Sequence, residues 1–383
     1  MSEYQYYEFR AIDRPLTRKQ MDEVGRYSTR AEITATSFIN EYHWGDFRGD
    51  EIQFIEKYFD AMVYFANWGT HRFLFRVPAE FVDRKILKAY CGHSVEMIAR
   101  GDNLILDLTS DPEDGGDDYY ETDWMADLLA IRAEVFAGDL RPLYIGWLAG
   151  LWDYDDGKLE PPVPAGMKNL TDSQAELAEF LRVDSDVLGV AAATSADRQP
   201  PGREGDFNAW LVARPAAQKD EALIALAANA DPLLPARLYR QFQAQQATPP
   251  EAKASRRTVG QLREQAEQVT IKREAREAAL AAKKRAKREA EEARQREAHL
   301  DQLAKRGDLP WKDIENLVQT KQPANYEAAV KLLKDLRDIS LREGSTSQFA
   351  LRVHSLIDRH VRKSTFHKRV LKANVIPQSP GVA

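Results

Sequence analysis

The chain has 383 residues, 43% of them hydrophobic, and a formal net charge of −6 at pH 7. This length and composition predict two or three folded domains with at least one sizeable core. The single cysteine, Cys91, excludes an internal disulfide framework. Residues 1–13 lack the pattern of a signal peptide, and no stretch approaches the ~18–20 apolar residues of a membrane span. We therefore expect a cytoplasmic protein without membrane contact.

The charge is divided unequally along the chain. Residues 1–250 hold 25 Lys+Arg against 42 Asp+Glu, a net charge of −17, whereas residues 251–383 hold 29 against 18, a net charge of +11. Such a division indicates a folded acidic module joined to a basic arm that meets an acidic partner.

Residues 1–122 have the pattern of an α+β domain. An aromatic and β-branched run at 4–12 ends in turn chemistry, and Thr17 with Gln20 has the spacing of a capping box. Further along, Asp50 is placed to cap a helix, and two hairpins are predicted around Gly69 and Gly101. This order predicts a small mixed or antiparallel sheet, loosely ferredoxin-like, with helices on one face.

The next segment is strongly acidic. Residues 111–121 contain six acidic residues among eleven. They predict an exposed loop, and a Ca²⁺ or Mg²⁺ site is the alternative because carboxylates are the ligands that these ions prefer.

Residues 123–246 are predicted to form a helical block. Thr171 with Gln174 repeats the capping-box spacing, and Asp184 can cap a further helix. Later helices are expected at about 206–213, 216–228 and 232–246, and residues 247–255 have the composition of a polar linker.

Residues 256–306 contain one glycine and no proline, and Ala, Glu, Lys, Arg and Gln dominate, which predicts one long helix. Val259, Leu262, Ala266 and Val269 follow coiled-coil spacing, but the same frame then places arginine and lysine at core positions. The pattern therefore favours a charged helix exposed to solvent.

The segment 272–288 of this helix carries eight basic residues against two glutamates. Three interpretations are open: a spacer helix, contact with the backbone of a nucleic acid, or docking on an acidic protein surface, including the chain's own N-terminal half. No aromatic residue interrupts the segment, so base stacking has no platform there. The candidate binding residues are Lys272, Arg273, Arg276, Lys283, Lys284, Arg285, Lys287 and Arg288.

Residues 308–373 are predicted to form a small bundle of three amphipathic helices, followed by a tail at 374–383. The end of the bundle is basic and includes Phe366, so it is a second candidate for contact with nucleic acid. Its candidate binding residues are Arg362, Lys363, Lys368 and Arg369.

One group of residues has the chemistry of a catalytic site. Glu41, His43 and Asp46 combine two carboxylates with a histidine, as a metal-dependent hydrolase would require, and Glu8 and Asp13 on the first strand could join them. The alternative is that these residues shape a turn and cover the surface. No phosphate-binding loop, dinucleotide glycine pattern, nucleophile elbow or zincin helix is present, so the sequence indicates no cofactor.

Two resemblances can be added. The runs EYQYYEFRAIDRPLT and NEYHWGDFRGD in the N-terminal part resemble an uncharacterised family of bacterial cytoplasmic proteins, over roughly residues 3–190. The C-terminal helices, with W311KDIENLV and RHVRKSTFHKRVLK, are similar to a helical module of bacterial SWIM zinc-finger proteins. The SWIM zinc site itself needs several cysteines, which this chain lacks, so neither resemblance implies catalytic residues.

These observations favour a non-catalytic binding or scaffold protein that acts in a complex through the basic helix and the C-terminal bundle. The first alternative is an accessory protein that binds the nucleic-acid backbone, and the second is a metal-dependent hydrolase. A protein partner is expected, with nucleic acid as the other candidate.

Overall fold

The structure is a computed structural model that describes residues 3–111, 123–198, 204–228, 231–246 and 256–375. It divides into two compact units, Met1–Arg273 and Glu274–Ala383. The predicted linker at 247–255 lies outside the described residues, as do most of the predicted tail and all but Asp111 of the acidic loop.

The N-terminal unit is built on a sheet of seven antiparallel strands in the order β2-β3-β1-β4-β5-β7-β6. The strands are β1 (Gln5–Arg10), β2 (Glu32–Ile33), β3 (Ser37–Tyr42), β4 (Ala61–Ala66), β5 (His71–Pro78), β6 (Val95–Arg100) and β7 (Asn103–Ser110). The α+β class is confirmed. The sheet is larger than predicted, and it shares with ferredoxin-like sheets the split arrangement in which β3 and β4 flank β1.

Helices cover both faces of the sheet, so the expectation of helices on one face was wrong. Helices α1 (Arg18–Val24) and α2 (Glu51–Lys57) pack on one face, whereas the short α3 (Arg84–Leu87) contributes Leu87 to the core on the other face. The strands explain this, because both sets of alternating residues are apolar: Phe73 and Phe75 on β5 face one core, and Leu74 between them faces the other.

Four helix starts that the sequence predicts have the expected side-chain caps. Thr17 and Thr171 each form a capping box with the glutamine three residues later. Asp50 and Asp184 each accept hydrogen bonds from backbone N–H groups in the first turn of the following helix.

The first part of the predicted helical block, residues 124–193, packs on the second face of the sheet as part of the same unit. Trp147 and Phe180 from this block are buried with the strand residues in one continuous core. The helices are α4 (Trp124–Phe136), α5 (Arg141–Ala149), α6 (Asp172–Phe180), α7 (Ser185–Ala193), α8 (Glu204–Ala213), α9 (Ala216–Ala227) and α10 (Leu234–Gln246).

The long basic helix is α11 (Val259–Ala304), 46 residues, and it contributes residues to both units. Its beginning is not exposed as predicted, because Val259, Leu262 and Ala266 are buried in the core of the N-terminal unit. The apolar spacing that suggested a short coiled-coil seam therefore serves packing within the chain. Neither α11 nor any other helix in the described ranges is long and apolar enough to cross a membrane.

The described part of the C-terminal unit, up to residue 375, contains four helices beside the end of α11, one more than predicted. They are α12 (Leu309–Gln319), α13 (Pro323–Arg342), α14 (Thr346–Arg359) and α15 (Ser364–Lys372). The additional helix, α15, contains only two buried side chains, Phe366 and Val370, among basic residues, so its apolar pattern is short. Leu300 and Leu303 from α11 join the same core.

His71 on β5 predicts a pH dependence of stability. The histidine is buried, its Nδ1 donates to the backbone oxygen of Phe180 at 2.6 Å, and burial lowers the pKa of His71 from 6.5 to about 4. The unfolded chain therefore binds a proton first as the pH falls. The stabilisation is complete above pH ~6.5 and is lost as the pH falls towards ~4.

We expect the free energy of unfolding to decrease by about 2 kcal/mol between pH 7 and pH 5 from this group, as measured by urea unfolding. The variant His71→Gln should remove that decrease, whereas His43→Gln, at an exposed position, should retain it. Equal pH dependence in both variants would assign the effect to other groups.

Candidate functional site

The three residues predicted to form an acid/base group lie around the end of β3, but they do not converge. Glu41 lies opposite Tyr6 in the β1–β3 ladder and is exposed. Asp46 accepts a hydrogen bond from the Tyr7 hydroxyl at 2.8 Å. Because Tyr6 and Tyr7 are consecutive strand residues, these contacts lie on opposite faces of the sheet. His43 follows the strand, and its ring lies 5.4 Å from that of Tyr4.

The two additional carboxylates proposed for this group are engaged elsewhere. Glu8 is buried, accepts a hydrogen bond from Tyr6 at 2.7 Å and forms an ion pair with Arg10 at 2.6 Å. Asp13 accepts two hydrogen bonds from the guanidinium of Arg132, at 2.7 and 2.6 Å. Within the described ranges, no group of three or more His, Cys, Asp or Glu side chains could hold a metal ion.

Cys91 and Asp111, the other residues that could carry chemistry, make contacts within the N-terminal unit. The Cys91 thiol is half-buried, burial raises its pKa, and it lies 3.6 Å from the backbone oxygen of Leu87. Asp111, the first residue of the acidic loop, accepts a hydrogen bond from Thr70 at 2.7 Å. These contacts fix the two residues within the fold of the N-terminal unit.

The start of α11 is attached to the acidic unit through Glu160, whose side chain is almost fully buried. Arg257 donates two hydrogen bonds to the Glu160 carboxylate at 2.9 and 2.8 Å, and the Tyr144 hydroxyl donates a third. Arg256 donates to the backbone oxygen of Glu160 at 2.5 Å. The sequence analysis did not single out these two arginines, although they directly precede the apolar spacing that begins the helix.

Two further carboxylates hold the first turns of α11. Arg263 donates to Asp156 at 2.8 Å, and Arg273 pairs with Asp186 at 3.0 Å. Thr270 donates to the same aspartate at 2.8 Å. The basic helix therefore docks on the chain's own acidic half, as one of the three interpretations predicted, as far as Arg273. The guanidinium of Arg273 is occupied by Asp186 of the N-terminal unit. Lys272 beside it is exposed.

The following part of α11, residues 274–295, is exposed at every position. Arg276, Lys283 and Lys287 lie seven and four residues apart, which places them on one side of a helix over about 16 Å. We call these three residues the basic stripe. Within the described part of the chain, none of the three has a carboxylate within 4.0 Å. Lys284 lies between them in sequence and is also exposed.

Two of the other predicted residues of this segment, both arginines, are paired. Arg285 and Arg288 donate to Glu289 and Glu292, four residues later, at 2.8 and 2.7 Å. Arg294, which was not predicted, pairs with Glu291 at 3.0 Å. The exposed part of α11 thus carries two sets of basic residues: arginines that pair with neighbouring carboxylates, and the basic stripe, which does not.

The four predicted residues of the C-terminal end differ in their availability. Lys363 donates to the backbone oxygen of Val318 at 2.6 Å, and Arg369 donates to Glu327 at 2.5 Å. Arg362 and Lys368 are exposed, and no carboxylate in the described ranges lies within 4.0 Å of either. Only the latter two are therefore free to meet a partner.

A groove of about 580 Å³ lies between α13 and α15 in the C-terminal unit. Its charged lining is four basic residues and one acid: Lys331, Lys334, Arg369, Lys372 and Glu327. The sequence analysis predicted only Arg369 here. The sequence could have indicated the residues on α13, because Glu327, Lys331 and Lys334 are four and three residues apart. This spacing places their side chains on one side of the helix.

Comparison of this chain with protein-family models, with curated proteins and with solved structures gave no match. The resemblances to the bacterial family and to the SWIM-associated module therefore stay predictions.

Proposed function

We propose that the protein is a non-catalytic binding protein that acts in a complex, and that the exposed part of α11 contacts the phosphate backbone of a nucleic acid. The cytoplasmic location expected from the sequence is part of this proposal. The observation that supports it most strongly is the basic stripe, whose three cations have no carboxylate partner in the described part of the chain.

The surrounding charge supports a polyanionic partner. Residues 274–383 hold 23 Lys+Arg against 15 Asp+Glu, a net charge of +8. The groove between α13 and α15 adds three lysines in the same unit, Lys331, Lys334 and Lys372. Cations that are already paired within the protein gain little from a phosphate, whereas unpaired ones release counterions from the nucleic acid when they bind.

The apolar content of the segment argues against a protein partner. Leu280 is the only large apolar residue in 274–295, and it is exposed. Protein interfaces usually have an apolar centre that is depleted of charge, and a partner helix would need a continuous apolar seam. Nucleic-acid interfaces are strongly positive and more polar, which fits this surface.

The test is a comparison of two triple variants of the full chain. Arg276→Gln, Lys283→Gln and Lys287→Gln together remove the basic stripe, while Arg285→Gln, Arg288→Gln and Arg294→Gln together remove three arginines that have carboxylate partners. Both variants change the net charge by the same amount. Fluorescence anisotropy with a labelled duplex should show affinity falling roughly tenfold or more for the first variant, and less for the second.

Equal losses in the two variants would contradict a direct contact by the basic stripe, because long-range attraction would then explain the effect. Failure of the starting protein to bind nucleic acid at low salt would contradict the partner class and favour an acidic protein. No observation favours the hydrolase alternative, since Glu41, His43 and Asp46 do not lie together.

A further inference from the structure

A second candidate binding site lies in the N-terminal unit, independent of α11. It is a pocket of about 280 Å³ between the loop after α1 and the loop that joins β3 to α2. We call it the arginine–aromatic pocket, because its lining includes three arginines and three aromatic residues: Arg26, Arg30, Arg48, Tyr27, Tyr42 and Trp44.

The two loops that form the pocket are held by the fold. Gln5 donates to the backbone oxygen of Gly45 at 2.8 Å, where a positive φ of 82° turns the chain. The backbone N–H of Phe47 donates to Asp46 at 2.7 Å, and the Tyr27 ring packs against Phe54 at 4.7 Å. The pocket is therefore supported by the sheet and by the core beneath it.

The arginines of this pocket are unlike most of those in the N-terminal unit. Arg72 and Arg132, for example, pair with aspartates at 2.6 Å. In the part of the chain that the structure describes, the guanidinium groups of Arg26, Arg30 and Arg48 have neither a carboxylate within 4.0 Å nor a hydrogen bond to another residue.

The pocket also contains a carboxylate, Asp46, one of whose oxygens accepts hydrogen bonds from Tyr7 and from the Phe47 backbone. Three cations thus face one partly neutralised anion, within the half of the sequence that carries a net charge of −17. Unpaired positive charge concentrated there indicates a site for an anion.

A second observation also indicates a ligand. Tyr42 lines the pocket, and its hydroxyl is buried with no hydrogen-bond partner among the described residues; the same holds for the side-chain amide nitrogen of Asn40. The polar side chains near the Tyr42 hydroxyl include Asn40 and Ser28, and the Ser28 hydroxyl donates to the Asn40 side-chain oxygen at 3.0 Å. Leaving such a group unsatisfied costs about 1–3 kcal/mol, so native proteins seldom do so without a reason.

The aromatic residues suggest what kind of anion would bind. The Trp44 side chain is 67% exposed at the rim, with the guanidinium of Arg30 lying 4.6 Å from the ring centre. An exposed ring beside unpaired arginines is the combination with which proteins stack a nucleic-acid base and hold its phosphate. The volume is near the lower limit of ~300 Å³ for small-molecule sites, so it suits one phosphate with its sugar.

We propose that the arginine–aromatic pocket binds a nucleotide: the arginines hold its phosphate and Trp44 stacks on its base. The nucleotide is either free or the 5′-phosphorylated end of a single strand. The basic stripe of α11 has no aromatic ring on which a base could stack, and it is proposed to contact only the phosphate backbone. The two sites therefore recognise different features of a nucleic acid.

The experiment measures the binding of five probes by the full chain at 150 mM salt, using calorimetry. The probes are AMP, adenosine, inorganic phosphate, and a six-nucleotide single strand with and without a 5′ phosphate. We expect AMP to bind at least tenfold more tightly than adenosine or phosphate alone. The triple variant Arg26→Gln, Arg30→Gln and Arg48→Gln should abolish binding, and Trp44→Ala should weaken it roughly fivefold or more, the equivalent of one stacked base.

Matched controls are available in the same unit. The variant Arg18→Gln, Arg84→Gln and Arg100→Gln removes three exposed arginines outside the pocket, and Trp152→Ala removes another exposed tryptophan over which an arginine lies. Both should bind AMP as the starting protein does. Tighter binding of the phosphorylated strand than of AMP would identify a strand end as the ligand, and the reverse would identify a free nucleotide.

Several results would overturn the inference. The first is that neither AMP nor the phosphorylated strand binds. The second is that the triple variant still binds AMP, and the third is that inorganic phosphate binds as tightly as AMP. Removing the basic stripe of α11 should leave AMP binding unchanged, so the two proposals can fail separately.

Discussion

Replacing Glu160 with alanine is expected to lower the free energy of unfolding of the N-terminal unit by about 3–5 kcal/mol. The Glu160 side chain is 2% exposed and forms an ion pair with Arg257 at 2.8 Å. Its removal leaves the guanidinium of Arg257 and the hydroxyl of Tyr144 without their acceptor in a buried place. The measurement is urea unfolding followed by tryptophan fluorescence, since six of the seven tryptophans lie in this unit.

Asp156→Ala is the matched control. Asp156 also pairs with an arginine at the start of α11, Arg263, but its side chain is 75% exposed. An exposed ion pair contributes about 0–1 kcal/mol, so this variant should be nearly as stable as the starting protein. Similar losses in the two variants would show that burial of Glu160 does not determine how α11 is attached.

Replacing Phe366 with alanine is expected to destabilise the C-terminal unit by about 3–5 kcal/mol. Phe366 is fully buried, and its ring lies 5.7 Å from that of Tyr326 on α13. Truncation removes the larger of the two buried side chains of α15 and leaves a cavity between the helices. Amide hydrogen exchange read by mass spectrometry should show faster exchange in α13 and α15, because it reports on this unit separately.

Leu371→Ala provides the comparison on the same helix. Leu371 is 72% exposed, so its truncation should change the exchange rates little. If Phe366→Ala had an equally small effect, α15 would not be part of the core of the C-terminal unit.

Features that depend on neighbouring residues could be predicted from the sequence. Thr17, Asp50, Thr171 and Asp184 were identified as helix caps because a cap needs only a side chain and the backbone N–H groups two or three residues later. The turns at Gly69 and Gly101 depend on local backbone conformation, and both glycines have positive φ. The extents of α8 and α11 were predicted to within about three residues at each end.

Features that depend on distant residues could not be predicted. The pair between Glu160 and Arg257 joins residues 97 positions apart, and a single sequence contains no signal for that pairing. The burial of Val259 and Leu262 depends on a surface formed by the sheet and the helical block. The arginine–aromatic pocket joins two loops that the sequence treats separately.

The central claim is that the basic stripe of α11 meets phosphates, and the salt dependence of nucleic-acid binding tests it most directly. The measurement is the affinity of the full chain for a duplex at several salt concentrations, with log K plotted against log salt. Three neutralised phosphates predict a line with a slope of about −2.7 or steeper, and loss of the basic stripe should reduce that slope by about 2–3. An affinity that does not change with salt would contradict the account.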